Sequence, residues 1–203
     1  MAQTARLHEQ ELADDPIDQI EEWLDEVRAL GVPMPEAMTL ATADGEGRPS
    51  ARIVLLHGID ARGFVFHTNY GSRKGRDLAA NPRAALVLYW QSLGRQIRIE
   101  GTVERVGEEE SAQYFRTRPR GGQLGAWASR QSEELASREV LEHRVRGLEK
   151  EYEGREVPLP PFWGGYRLAP DRIELWQHGD DRLHDRFAYS RRGSGWTRER
   201  LSP

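Results

Sequence analysis

Four stretches carry side chains whose types and spacing could do chemistry. In Thr68-Asn69-Tyr70-Gly71-Ser72-Arg73-Lys74, a strand end runs through a glycine turn into a helix. Arg73 and Lys74 fall in the first turn of that helix, where cations oppose the macrodipole at a cost of about a few tenths of a kcal/mol. A phosphate there would reverse the sign, because it accepts free backbone N–H groups as well as both side-chain charges. Surface pairing with Asp77, at i+4 and i+3, is the other reading. The spacing matches neither a Walker A loop nor a dinucleotide-binding glycine fingerprint.

The second stretch is Arg182-Leu183-His184-Asp185-Arg186. If it is extended, period two puts Arg182, His184 and Arg186 on one face, and three such groups need carboxylates or an anionic ligand nearby. A solvated strand is the plain alternative. His178 and His184 lack a third partner at any standard metal-ligand spacing, so no metal site is expected. The third stretch, Tyr114 to Gln123, interleaves arginines with glycines and aromatics and leads to Gly125-Ala126-Trp127. It reads as a loop from which Tyr114 and Arg118 reach a small phosphorylated ligand. The fourth is Arg52, a cation opening the aliphatic run Ile53-Val54-Leu55-Leu56, which could equally cap a strand end. No Ser-His-Asp set and no carboxylate pair stands out. The charges look arranged to hold an anion, and such an enzyme usually takes its reactivity from a cofactor.

The whole chain constrains what these groups can serve. Its 203 residues carry 29 Lys+Arg against 33 Asp+Glu, a formal charge of −4. Only Lys74 and Lys150 are lysines, which leaves 27 arginines. A negative total argues against a generic nucleic-acid binder, which needs a basic surplus. No stretch approaches the roughly 18–20 apolar residues of a membrane helix. Met1 to Pro16 has no apolar core of a signal peptide. Zero cysteines exclude disulfides, thiol nucleophiles and Cys–zinc sites. The expected address is the cytoplasm, without a membrane partner. At 37% hydrophobic residues the core is lean, which favours a subunit interface or an exposed tail over a self-sufficient monomer.

The elements that must position these groups follow from periodicity. Residues 1–15 show none and are expected as a flexible tail before one domain, 16–203. Ile17, Ile20, Trp23, Leu24, Val27 and Leu30 recur at helical spacing and stop at Gly31 and Pro33. Strands are expected over Met38–Ala43, Ser50–Leu56, Phe64–Thr68, Ala84–Tyr89 and Gln96–Val106, with a short helix over Arg73–Ala80. Helical patterns span Glu108–Phe115 and Ser137–Tyr152. The end returns to strands at Gly165–Leu168, Arg172–Gln177, Arg186–Ser190 and Trp196–Leu201. This is an α+β pattern: an antiparallel sheet closed into a barrel with peripheral helices.

Seven blocks in order make the pattern more specific. They are Arg52 to Leu56, Thr68 to Lys74, Arg118-Pro119-Arg120, Gln123 to Trp127, Ser129 to Ser132, Phe162 to Gly165 and Arg182 to Arg186. Over about Pro16 to Pro203 the chain resembles the pyridoxamine 5′-phosphate oxidase family. The resemblance implies a homodimeric split β-barrel with two FMN sites at the subunit interface. It assigns FMN contacts to Arg52, Ile53, Val54, Leu55, Leu56, His57, His67, Thr68, Arg73, Lys74, Gln96, Gln131, Ser132, Trp176 and Arg186. Arg73 and Lys74 would hold the flavin phosphate. Substrate contacts fall on His57, Tyr114, Arg118, Gly122, Arg182 and His184, with Arg182 and His184 beside the reacting pyridine ring. The implied reaction oxidises pyridoxine or pyridoxamine 5′-phosphate to pyridoxal 5′-phosphate, with O2 as acceptor and H2O2 as product.

Three positions depart from the family pattern. His57 stands where a Lys is typical, Gly122 where a Ser is frequent, and His67 where a Tyr is frequent. The family's N-terminal lid, with an Arg and a Tyr, has no counterpart before Pro16. The alternative implied by the same resemblance is a same-fold FMN oxidase with another substrate, such as the dihydro-aromatic intermediates of phenazine biosynthesis. A non-catalytic flavin or pyridoxal-phosphate binder is the reading from a different class.

Overall fold

In the computed structural model, which describes residues 6–203, nine strands form one antiparallel sheet and five α-helices pack around it. Helix α1 (Pro16–Ala29) begins where the periodicity does. The Asp15 carboxylate caps it by accepting the Ile17 N–H at 2.9 Å, and Pro16 occupies the first turn, where its missing N–H costs nothing. Ile20, Trp23, Leu24 and Val27 form its buried face. Residues 6–15, expected as part of a flexible tail, instead form an arm on the domain. Leu7 and Leu12 join the main core, and Tyr189 donates to the Ala13 carbonyl at 2.9 Å. Two leucines too widely spaced to register as periodic are enough to anchor it.

The strands are β1 (Ala37–Ala43), β2 (Pro49–Leu55), β3 (Gly58–Asp60), β4 (Gly63–Asn69), β5 (Arg83–Trp90), β6 (Arg95–Arg105), β7 (Trp163–Gln177), β8 (Asp185–Arg192) and β9 (Gly195–Arg200). Their order is β2-β1-β5-β6-β7-β4-β3, with β8 on β7 and β9 on β8. The two edges of the main path, β2 and β3, are consecutive in the chain and joined by Leu56 and His57, which draws the sheet into a barrel. The His57 N–H donates to the Val65 carbonyl of β4 at 2.8 Å and fastens that join.

Two expected strands, Gly165–Leu168 and Arg172–Gln177, form the single 15-residue strand β7. Pro170 between them reads as a break, but here it lies at a bulge, one of the few sheet positions that tolerate proline. The first half of β7 pairs with β4, the second half pairs with β8, and β6 pairs with both. The register shifts between Glu100 and Gly101, opposite Arg172 and Pro170, so the sheet forks there. The expected α+β antiparallel split barrel is the fold that forms.

Side-chain alternation gives the sheet two faces. Leu40, Leu86, Ile99, Ile173 and Tyr189 form one cross-strand row, and Leu88, Ile97, Leu175 and Phe187 form the next, all fully buried. Each such aliphatic side chain contributes roughly 1.5–3 kcal/mol on burial. The opposite face carries the row Ile53, Thr39, Val87, Arg98 and Glu174 and the row Tyr89, Gln96, Trp176 and Arg186. On that face Ile53 is 66% exposed, Leu55 44% and Tyr89 55%. No helix of the described residues is long and apolar enough to cross a membrane.

Helix α2 (Arg73–Ala80) follows β4, and α3 (Glu108–Thr117), α4 (Arg120–Ala128) and α5 (Arg138–Glu151) lie between β6 and β7. The glycine-rich stretch expected as a loop is α4. Its glycines carry a helix penalty of about 1 kcal/mol each. Tertiary contacts offset it: Leu124 joins Phe115, Val157 and Trp163 in a second core, and Gln123 donates to the Phe115 carbonyl at 3.0 Å.

Gly101 tests the fork directly, since an added Cβ there would meet the Ala169 carbonyl oxygen and lie 2.9 Å from Leu168 Cδ2. Gly101→Ala is expected to lower unfolding free energy by about 1–3 kcal/mol through overpacking, measured by urea denaturation against wild type.

Candidate active site

The cationic groups of the first stretch converge at the N-terminus of α2. Ser72 caps this helix by accepting from the Gly75 N–H at 3.3 Å, so the loop turns sharply and buries Lys74. The ammonium of Lys74 donates to Thr68 Oγ1 at 3.0 Å, Gln131 Oε1 at 2.7 Å and Ser72 Oγ at 3.4 Å. All three partners are neutral. Burial and the neighbouring charge of Arg52 lower its pKa to about 8. The Arg73 backbone N–H donates to Ser132 Oγ at 3.1 Å, while its side chain is exposed.

Asp77 does not pair with Arg73 or Lys74. It is buried, accepts from Thr42 Oγ1 at 2.7 Å and lies 3.6 Å from Arg52. Arg52 itself donates to Thr42 Oγ1 and Ser50 Oγ, both at 2.7 Å, and to the Leu40 carbonyl at 3.2 Å. Of the three cations only Arg52 lies near a carboxylate, and Lys74 has none. A buried ammonium without a counter-charge is costly unless an anion completes the site. Sequence reasoning placed Arg52, Thr68, Arg73, Lys74, Gln131 and Ser132 in the site, and the fold brings all six together. It missed Thr42 and Ser50, whose only signal was their polarity in strands, and it named Asp77 only as a surface partner of Arg73 and Lys74.

A second group adjoins the first through β4, where His67 precedes Thr68. The His67 ring lies 4.1 Å from that of Tyr114 and 5.3 Å from that of Trp163, both stacked. Tyr114 Oη is 2.5 Å from His57 Nε2, and His57 Nδ1 is 3.3 Å from His67 Nδ1. The Arg118 guanidinium lies over Trp163, 4.8 Å from the ring centre. A Cβ added at Gly122 would lie 3.4 Å from Arg118 Nη2, so Gly122 leaves that guanidinium room. Burial foremost, then the Arg118 charge, holds His57 at about 4. Burial, then His57 and Arg118, holds His67 at about 3. Both rings are neutral at physiological pH, and Arg118 is the one full charge in the group. Trp163 was quoted only as part of a block, and its role as the shared stacking surface was not legible from spacing.

The remaining expected residues form a third group at the other half of β7. Gln96, Trp176 and Arg186 are cross-strand neighbours on the exposed sheet face. His184 packs against Trp176 at 4.6 Å and accepts the Gly179 N–H on Nδ1 at 3.1 Å. Glu174, another residue the sequence reading missed, holds Arg186 at 2.9 Å and Arg98 at 3.2 Å. The stretch 182–186 is not extended throughout: Asp181 and Arg182 have φ of 54° and 65°, in a turn, and β8 starts only at Asp185. That turn leaves Arg182 exposed. Of the β2 run, Ile53 and Leu55 point to the same exposed face, while Val54 and Leu56 turn towards the core. Among the described residues no hydrogen bond or ion pair joins this third group to the first two.

The first group leaves a buried ammonium without a carboxylate partner, and a pH effect follows from it. Lys74 titrates near 8 in the fold against 10.5 in the unfolded chain, so the unfolded state binds more protons between those values and ligand-free stability rises with pH there. Lys74→Met is expected to remove that rise and to leave the ligand-free protein at least as stable at neutral pH. Urea denaturation at pH values on either side of 8 measures it; an unchanged pH slope would refute the assignment.

Comparison with known proteins adds to this geometry. A sequence model described as pyridoxamine 5′-phosphate oxidase matches residues 24–151, and one described as the pyridoxine 5′-phosphate oxidase C-terminal dimerisation region matches residues 163–203. A pyridoxine/pyridoxamine 5′-phosphate oxidase of Rubrobacter xylanophilus is 61% identical over 189 residues, covering 93% of this chain and 87% of the relative. One from Cupriavidus taiwanensis is 56% identical over 198 residues, covering 97% and 93%. Among solved structures, PhzG from Burkholderia lata 383, in complex with tetrahydrophenazine-1-carboxylic acid, superposes with a TM-score of 0.93 at 35% identity over 100% of both chains. An FMN-binding, pyridoxamine 5′-phosphate oxidase-related protein of Nostoc punctiforme shares the fold, with a TM-score of 0.74 at 16% identity over 95% of this chain and 99% of that one. With both halves of the sequence matched and relatives of 56–61% identity along nearly the whole chain, the chain belongs to the pyridoxamine 5′-phosphate oxidase family.

Proposed function

We propose that the protein is an FMN-dependent oxidase that converts pyridoxine or pyridoxamine 5′-phosphate to pyridoxal 5′-phosphate, with O2 as acceptor and H2O2 as product. The observation that carries the reading is Lys74, buried among neutral partners beside Arg52 and Arg73, where only an anion completes the charge balance. In this reading residues 16–203 are one FMN-binding domain, acting in the cytoplasm as part of pyridoxine biosynthesis. Relatives of 54–61% identity carry the same activity in their names.

When bound, FMN supplies the two-electron acceptor that O2 reoxidises. The chain's own residues bind and orient. Lys74, Arg73, Arg52, Gln131 and Ser132 take the flavin phosphate, with the Lys74 pKa rising once the anion is present. Tyr114 and Arg118 take the substrate phosphate, and the Trp163 ring keeps the Arg118 guanidinium flat and in place. Arg182 and His184 border the pyridine ring, and fixing that ring over the flavin is the main rate contribution the protein makes. His184 is kept below its usual pKa by burial and by His178, Arg182 and Arg186, so it faces the substrate as a neutral ring.

The split between groups supports a homodimer in which one copy supplies the Lys74 group and the other the Trp176 group. Ile53, Leu55 and Tyr89 on the exposed face are the apolar surface such a partner would cover. A specific observation also favours the second reading: the fold match to the Burkholderia lata PhzG spans the full chain. Retention of Tyr114, Arg118 and Arg182-Leu183-His184 favours the vitamin substrate.

The purified protein is expected to be yellow with flavin absorption bands, and to release pyridoxal 5′-phosphate and H2O2 in equal amounts as oxygen is consumed. Faster turnover of tetrahydrophenazine-1-carboxylic acid than of either vitamin phosphate would select the second reading. Arg182→Leu is expected to lower kcat by about tenfold or more, as for loss of one charge-assisted contact, while FMN content stays near wild type. A loss confined to flavin content would contradict the role.

A further inference from the structure

His57 and His67, on neighbouring segments of the barrel, touch each other and form one unit with Tyr114. Nδ1 of one ring faces Nδ1 of the other at 3.3 Å, so the neutral pair shares a single proton between them. On the far side, His57 Nε2 is bonded to Tyr114 Oη at 2.5 Å. His67 Nε2 is buried and has no hydrogen-bond partner among the described residues. In this state the His57 nitrogens and the Tyr114 hydroxyl satisfy each other and present little to an anion.

A second proton on His57 changes that. His57 Nδ1–H then donates to His67 Nδ1, and His57 Nε2–H becomes a donor. The Tyr114 hydroxyl no longer has an acceptor on His57 and is released to donate elsewhere. One proton thus converts a closed pair into two outward donors beside the Arg118 guanidinium. We propose that His57 is a specificity-determining residue that binds the substrate phosphate by taking up a proton, and that His67 is the positioning residue that accepts from the imidazolium so formed. The proposal rests on the reading of Tyr114 and Arg118 as the substrate-phosphate site.

The surroundings set the sign. His57 faces His67 from β4, Tyr114 and Arg118 from α3 and the residue after it, and Glu36 before β1; Glu21, Asp25 and Arg28 of α1 line the adjoining cleft of about 290 Å³. Arg28 is already paired with Asp25 and Glu36, both at 2.8 Å. Without ligand, burial and Arg118 keep His57 neutral; a phosphate dianion offsets Arg118 and stabilises the imidazolium. Affinity for a phosphorylated ligand therefore increases as pH falls. The device also favours dianionic esters over neutral analogues of the same ring.

Calorimetric titration of the FMN-loaded protein with 4-deoxypyridoxine 5′-phosphate, which has no oxidisable substituent at C4′, tests this. Two buffers of different ionisation heat at one pH near 7.5 give the protons taken up per site. Wild type is expected to take up about half to one proton more than His57→Lys, whose ammonium is already charged. His57→Gln is expected to match His57→Lys in proton count, and His67→Phe, which keeps the stack but not the acceptor, to lose most of the uptake. Equal proton counts in wild type and both His57 variants would overturn the proposal; full uptake in His67→Phe would overturn the role of His67. No binding by wild type, or binding that Arg118→Ala leaves unchanged, would instead sink the substrate-phosphate reading on which the proposal stands.

Discussion

Everything in this molecule hangs on β7 being paired with β6 from Tyr166 to Gln177 while its other edge changes partner from β4 to β8. The constraint is set by hydrogen bonding: each half of the strand has backbone groups on both edges that must find partners. The bulge opposite Gly101 lets one ladder serve two sheets that diverge. From the first half descend the His67 and Trp163 positions, and from the second the row of Gln96, Trp176 and Arg186. The Trp163 and Trp176 clusters of one chain are thereby mounted on the same strand, in a register that cannot slip without turning the core outward.

The charge distribution follows a different logic from the core. Most arginines are satisfied locally: Arg167, almost fully buried, bonds Asp60 at 2.7 Å and Glu110 at 2.6 Å, and Arg186 holds Glu174. Around Lys74 the pairing is withheld, with Asp77 committed to Thr42 and Arg52. A chain of net charge −4 has carboxylates to spare, so the deficit is local and built by geometry. The same is true near Arg118, where two neutral histidines and a tyrosine surround one guanidinium. Desolvation holds these groups away from their solution behaviour.

Much of this was legible in the sequence because the strands and helices obey simple periods. The helix over Arg73–Ala80 matches residue for residue, and the strand spans differ by a residue or two at their ends. Failures have physical causes. Pro170 read as a break because proline normally excludes itself from a ladder, yet the bulge tolerates it. Gly121 and Gly122 read as a loop because their helix propensity is poor, and a second core outweighs it. Asp181 and Arg182 in left-handed conformations broke an alternation that spacing implied. Of the candidate site, Arg52, Arg73 and Lys74 could be singled out from position alone, with their roles left open. Their carboxylate and hydroxyl supports could not, since Thr42, Ser50, Asp77 and Glu174 act across strands distant in sequence.

The join at Leu56–His57 has a consequence for how such a protein can change over evolutionary time. The barrel is fastened there by the His57 backbone N–H on the Val65 carbonyl, while the side chain of the same residue bonds Tyr114. Architecture is carried by the main chain, which leaves the side chain free for the recognition role proposed for it, at one position and without interference. Lysine, histidine or another residue can occupy this position with the stave still held, so substrate preference can drift while foldability is conserved. A scaffold organised this way offers unusually safe ground for divergence.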